Sequence, residues 1–125
     1  MIEELLAAAK AARSNAYAPY SNYKVGAAIR SESNIIYAGC NVENAVYPLG
    51  QCAERVAIQA MVRAGETRIA ELLLLTENGE TPCGACRQVM TEFAHDSMQI
   101  YLANGGSVVQ ETTLGALLPR AFRLR

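Results

Sequence analysis

Residues 52–76 read CAERVAIQAMVRAGETRIAELLLLT, and this stretch decides the fold. Its first half places Val56, Ala57, Ala60, Met61 and Ala64 on one helical face, predicting a helix over Cys52–Ala64 that Gly65 terminates. Its second half, Ile69–Thr76, is a continuous apolar run, the pattern of a strand buried on both faces and hence central in a sheet. A helix leading straight into a buried strand is the repeating unit of layered α/β domains. The flanks continue it. Upstream, Lys24–Arg30 and Ile35–Cys40 read as an antiparallel strand pair around Ser-Glu-Ser-Asn, with an irregular Asn41–Gln51 after them. Downstream come a polar loop at Glu77–Thr81 and a helix over Gly84–Ala94, with Ala85, Val89, Met90 and Phe93 turned inward. Met98–Ala103 and Ser107–Gln110 follow as strands about Asn-Gly-Gly, then a short helix at Leu114–Leu118. At the front, Ile2, Leu5, Leu6, Ala9 and Ala12 give Ile2–Arg13 a helical period that Ser14, Asn15 and Pro19 end.

The chain has 125 residues, the size of one domain (~100–150 residues), so residues 1–125 are expected to form a single unit. Eleven basic and twelve acidic residues give a net charge of −1, which offers no electrostatic case for nucleic-acid polymers or anionic membranes. No apolar run has the length of a membrane span, and Glu3 and Glu4 stand where a secretory leader would be basic. A cytoplasmic protein is expected. Its four cysteines are then reduced, and metal or catalytic roles outrank disulfides.

Cys52 and the pair Cys83/Cys86 fall at predicted helix starts, where the helix dipole and free N–H groups stabilise thiolates. Each helix follows a β segment, so both starts can meet at one sheet edge and aim three sulfurs at one point. A structural zinc takes four protein ligands, whereas a catalytic zinc keeps three and leaves a position for water. Glu54, two residues after Cys52, can approach that position without ligating and move protons there. Plainer readings stand beside this one. Cys83-x-x-Cys86 alone suits a redox pair or a structural clip equally, and Cys40 could close a four-cysteine structural site or simply pack as a small hydrophobe. Glu54 could be no more than a carboxylate favoured by the dipole, and His95 reads as a surface or helix-end residue.

NVENAVYPLGQCAERVAIQA (residues 41–60) and TPCGACRQVMTEF (residues 81–93) together closely resemble the small zinc-dependent cytidine deaminases, a class that includes three-cysteine variants with a non-ligating glutamate. The likeness runs from about Tyr17 to Phe122. It implies a three-layer α/β/α sandwich with a mixed five-stranded sheet and one zinc ion per subunit held by Cys52, Cys83 and Cys86, with Glu54 as proton shuttle. It implies that Asn41 and Glu43 bond the ribose hydroxyls, that Tyr23 lies beside the base where relatives carry phenylalanine, and that the Ala53 backbone meets the pyrimidine. Tyr47 and Phe122 match positions that reach a neighbouring subunit's site in homotetrameric members. The implied reaction is hydrolytic deamination of free cytidine and 2′-deoxycytidine, by attack of zinc-activated water at C4. The resemblance thus implies a small nucleoside as the partner and a role in pyrimidine salvage.

Three thiolates leave a zinc cluster net negative and weaken it as a Lewis acid. By resemblance Arg55 offsets this as a donor to the thiolates; read from its residues alone it is a surface helix arginine. Three departures from the family bear on specificity. Tyr23 carries a hydroxyl that needs a partner, the chain stops soon after Phe122, and Glu77–Thr81 is short, leaving ring position 4 open to larger substituents. A deaminase of another aminopyrimidine nucleoside, such as blasticidin S, is the alternative within the same chemistry.

Overall fold

The computed structural model describes residues 1–124. In chain order its elements are α1 (Ile2–Arg13), β1 (Gly26–Ser31), β2 (Ile36–Cys40), α2 (Ala53–Arg63), β3 (Ile69–Thr76), α3 (Gly84–Phe93), β4 (Gln99–Asn104), β5 (Ser107–Thr113) and α4 (Leu114–Leu117). A short 3₁₀ turn occupies Tyr47–Leu49 inside the segment expected to be irregular, with Pro48 in its first positions. The five strands form one mixed sheet in the order β2-β1-β3-β4-β5. β3 lies in the middle, antiparallel to β1 and parallel to β4.

The run Leu72–Leu75 explains the layers. Leu73 and Leu75 face α1, where they pack with Leu5, Ala9, Ala28 and Tyr101. Leu72 and Leu74 face the other side, among Ala57, Met61, Met90, Ile100 and Leu114. A strand covered on both faces has no polar alternation to keep. The expected three-layer sandwich is the observed architecture, with α1 on one face and α2, α3 and α4 on the other.

Topology places the site. β1 is antiparallel to both β2 and β3, so β2 and β3 run the same way. The starts of α2, which follows β2, and of α3, which follows β3, therefore lie at the same sheet edge. In such sheets that edge, beyond the strand C-termini, is where ligands bind. β2 and α2 press close together: a Cβ added at Gly39 would stand 2.6 Å from the amide nitrogen of Ala57 and 2.7 Å from the carbonyl oxygen of Ala53.

Several expectations need correcting. Lys24 and Val25 precede β1, because the Val25 N–H is taken by the side-chain oxygen of Asn41 at 2.9 Å. β5 runs three residues past Gln110; as an edge strand it needs no apolar pattern, and Glu111–Thr113 pair with Gln99–Tyr101. Ala85 is exposed and Cys86 takes its place in the core, so the buried face of α3 is Cys86, Met90 and Thr91, with Val89 and Phe93 half-buried beside it. On α2, Ala64 is an exposed C-cap, and Ile58 is buried instead.

Candidate metal centre and pocket

Cys52 is the N-cap of α2 and Cys83 the N-cap of α3, with Cys86 in the first turn of α3. Both caps have extended backbone, which turns their side chains across the helix mouths. The three sulfur atoms lie within 4.8 Å of one another. All four cysteines are free thiols, and Cys40 lies outside the trio. His95 is exposed and bonds Arg68.

Cys52 ionises more readily than Cys86. The hydrogen bond from Cys86, helped by the Arg55 guanidinium, outweighs burial and lowers it to about 5. Cys86 is pushed the other way by that same hydrogen bond, by burial and by the charge of Glu54. Glu54 is 4% exposed, and burial raises its carboxyl to about 7, with the Cys52 charge adding to the rise. Arg55 reaches Cys52 Sγ with Nη2 at 3.7 Å. Its Nε is buried with no partner among the described residues.

A three-sulfur donor set suits a zinc ion and leaves it one position free. The orphaned Arg55 Nε points to the same conclusion. A buried guanidinium N–H without an acceptor is costly, and sulfur anions gathered on a cation are the acceptors at hand. The residues present fit a zinc ion.

Around this cluster opens a pocket of about 590 Å³. Tyr23, Asn41, Glu43, Tyr47, Ala53, Glu54 and Arg55 all line it with Cys52 and Cys83. Phe122 does not; it is 67% exposed, and its carbonyl accepts a bond from Gln88. Tyr47, 75% exposed, stacks edge-on with Tyr20 at the mouth. Asn41 and Glu43 are already at work in the protein. Asn41 donates to the Tyr23 carbonyl and accepts from the Val25 amide. Glu43 accepts from the amides of Tyr20 and Ser21 and from the Ser21 hydroxyl. Together they fix segment 20–25 as one wall of the pocket.

The other wall contains the loop Glu77–Thr81 expected beside ring position 4, but the sequence reading named none of its contacts. Thr76, Asn78, Glu80, Thr81 and Pro82 line it. Arg87 holds it from behind, donating to the Pro82 carbonyl at 2.7 Å, the Thr81 hydroxyl at 2.9 Å and the Leu117 carbonyl at 2.7 Å. The one signal for Arg87 was its position directly after Cys86; its partners lie up to thirty residues away.

Two crossover helices that start at one sheet edge, three cysteines on those starts and a buried carboxylic acid beside them define a zinc-dependent deaminase of nucleobases. Comparison with known proteins narrows the class. Residues 1–102 match the family model described as the cytidine and deoxycytidylate deaminase zinc-binding region. A cytidine deaminase from Sporosarcina psychrophila is 46% identical over 123 residues, covering 97% of this chain and 90% of its own. The crystal structure of cytidine deaminase from Burkholderia pseudomallei superposes with a TM-score of 0.91 at 46% identity, covering 98% of this chain and 99% of the other. That from Mycobacterium tuberculosis gives 0.86 at 37%, covering 97% and 96%. The chain belongs to the zinc-dependent cytidine and deoxycytidylate deaminase family. It is an enzyme of hydrolytic deamination, and zinc is its cofactor.

Proposed function

We propose that residues 1–125 act as one catalytic domain that hydrolyses free cytidine and 2′-deoxycytidine to uridine and 2′-deoxyuridine, releasing ammonia. One observation carries the reading: a cluster of three cysteine sulfurs, two of its residues lining an open pocket, stands with a buried glutamate in that pocket, which a second carboxylate and an amide also line. Cys52, Cys83 and Cys86 would hold the zinc, which when bound supplies Lewis-acid activation of a water molecule. Glu54 takes a proton from that water, gives it to ring N3, and carries the second proton to the departing amino group, so that water and aminopyrimidine become carbonyl and ammonia. Ala53, fully buried at the start of α2, gives the ring a rigid backbone edge, and Tyr23 a flat side.

Glu43 accepts three hydrogen bonds inside the protein, and a carboxylate has about four acceptor sites, so one is left for a sugar hydroxyl. Asn41 keeps one amide hydrogen free beside it. The pocket's charges favour an uncharged nucleoside over a nucleotide. Glu43, Glu54 and Glu80 line it, and its arginine, Arg55, is engaged with Cys52. A pocket of about 590 Å³ suits turnover of 4-N-substituted cytidines as well, at a rate that the 76–80 wall limits; a rate below roughly one-thousandth of cytidine's counts against that extension. Exposed Tyr47 and Phe122 suit contacts between copies in a homotetramer, and the four free thiols suit the cytoplasm. Light scattering on the eluting protein reads the assembly state directly.

The deciding experiment follows ultraviolet loss of cytidine, 2′-deoxycytidine and 2′-deoxycytidine 5′-monophosphate by the purified protein. Both nucleosides are expected to turn over, the nucleotide far more slowly. Glu54→Gln should keep its zinc and lose about 10²–10⁴ in kcat. Undiminished turnover by that variant refutes the proton-transfer role.

A further inference from the structure

The two walls of the pocket are tied together. Tyr23, on the wall that Asn41 and Glu43 fix, donates its hydroxyl proton to Asn78 Oδ1 at 2.5 Å. The same oxygen accepts from the hydroxyl of Thr76 at 3.3 Å. Thr76, buried at the end of β3, also accepts from the Glu80 amide at 2.9 Å. The turn 76–80 is thus closed on itself at its root. Its far end is fastened by Arg87 through Thr81 and Pro82. Its middle is exposed, and there the tyrosine reaches across from 55 residues away in the chain.

We propose that the hydrogen bond from Tyr23 to Asn78 is a latch that sets how large a substituent on the exocyclic nitrogen of the ring the site admits. The inference rests on the deaminase reading above. In that reaction the bond between ring C4 and the exocyclic nitrogen would break beside the cysteine cluster. Outward from Cys83 the pocket wall consists of Pro82, Thr81, Glu80 and Asn78. An amino group fits inside that wall, whereas an alkylated one needs the middle of the turn to give way. With the latch closed, that movement must break the tyrosine bond as well as the longer bond from Thr76; with phenylalanine at position 23 only the Thr76 bond is left. Tyr23 is in this respect a positioning residue that acts through Asn78, apart from any contact its ring makes with the base.

The test uses the full-length zinc-loaded protein and two substrates, cytidine and N4-methylcytidine, with Tyr23→Phe, Asn78→Ala and the double variant. The ratio of kcat/KM for N4-methylcytidine to that for cytidine should rise about three- to tenfold in each single variant, the worth of one neutral hydrogen bond. The double variant should show the same rise as Asn78→Ala alone, because the alanine already removes the bond that Tyr23→Phe removes. A ratio unchanged in both single variants overturns the latch, as does a double variant in which the two effects multiply. Should Tyr23→Phe fold poorly, Asn78→Ala on the exposed turn decides by its own ratio. Wild-type protein inert toward cytidine refutes the deaminase reading and the latch with it; active wild-type protein with unmoved ratios refutes the latch alone.

Discussion

Gly39→Ala tests whether the sheet positions the chemistry. Gly39 lies on β2 under the first turns of α2, and its added methyl would meet Ala57 N at 2.6 Å, Ala53 O at 2.7 Å and Val56 Cβ at 2.9 Å. Ordinary contact begins near 3.4 Å, so α2 must retreat from the sheet by about 0.8 Å. Two of the three atoms are backbone, and no rotamer change relieves them. Overpacking of this kind costs about 1–3 kcal/mol, or a fall of roughly 4–12 °C in thermal midpoint for a chain of this size. The retreating turn carries Cys52 and Glu54. A misplacement of about 1 Å near reacting groups costs up to ~10²-fold, so kcat/KM for cytidine should fall ten- to a hundredfold, measured well below both midpoints. Zinc content measured in parallel separates lost metal from a misplaced glutamate. Gly106→Ala is the control, since its methyl meets nothing within 4 Å. Wild-type midpoint and wild-type turnover in Gly39→Ala would refute the argument that close β2–α2 packing sets the site.

Arg55→Ala should lower kcat/KM by about 10–100-fold while zinc stays bound, because the guanidinium beside Cys52 Sγ is lost and the thiolates keep their full charge; unchanged turnover at full zinc occupancy contradicts this. Arg87→Met removes two bonds to the wall that leads into Cys83 and a third that ties it to Leu117 in α4, and zinc should dissociate from it at least severalfold faster in a chelator competition assay than from wild type. Glu43 is held below the ordinary glutamate range by the Ser21 hydroxyl, then by the Ser21 and Tyr20 amides. A depressed carboxyl contributes stability above its unfolded pKa and loses it as pH falls through the folded value. The protection of the Tyr20 and Ser21 amides against exchange, taken relative to their intrinsic rates at each pH, should therefore fall at acid pH, below the range where an ordinary glutamate titrates; pH-independent protection there excludes the carboxylate as the clamp.

Local signals made much of this legible in advance. Four consecutive leucines announced a strand covered on both faces, and Gly65 marked the end of α2 with φ of +95°. The cysteines were readable because they sit at helix starts, a position that spacing reveals. Alanine misled twice: Ala85 and Ala64 fit the apolar period, yet so small a side chain is indifferent to exposure. β5 beyond Gln110 was hidden because an edge strand carries polar residues. The walls of the pocket were the least visible. Asn41 substitutes for a ladder partner of Val25, Tyr23 finds Asn78, and Arg87 finds Leu117. Each pairing joins residues that no periodicity connects.

The two crossover units that meet at one sheet edge have a consequence for how the protein matures. Neither unit owns a complete set of donors: Cys52 comes with β2 and α2, Cys83 and Cys86 with β3 and α3. A nascent chain that has built only one of them can grip the ion with two sulfurs at most. Firm retention begins only when β3 has docked against β1 and brought the second helix alongside the first. Metal retention is thus expected to report a finished sheet, because the three sulfurs meet only when both units are in place.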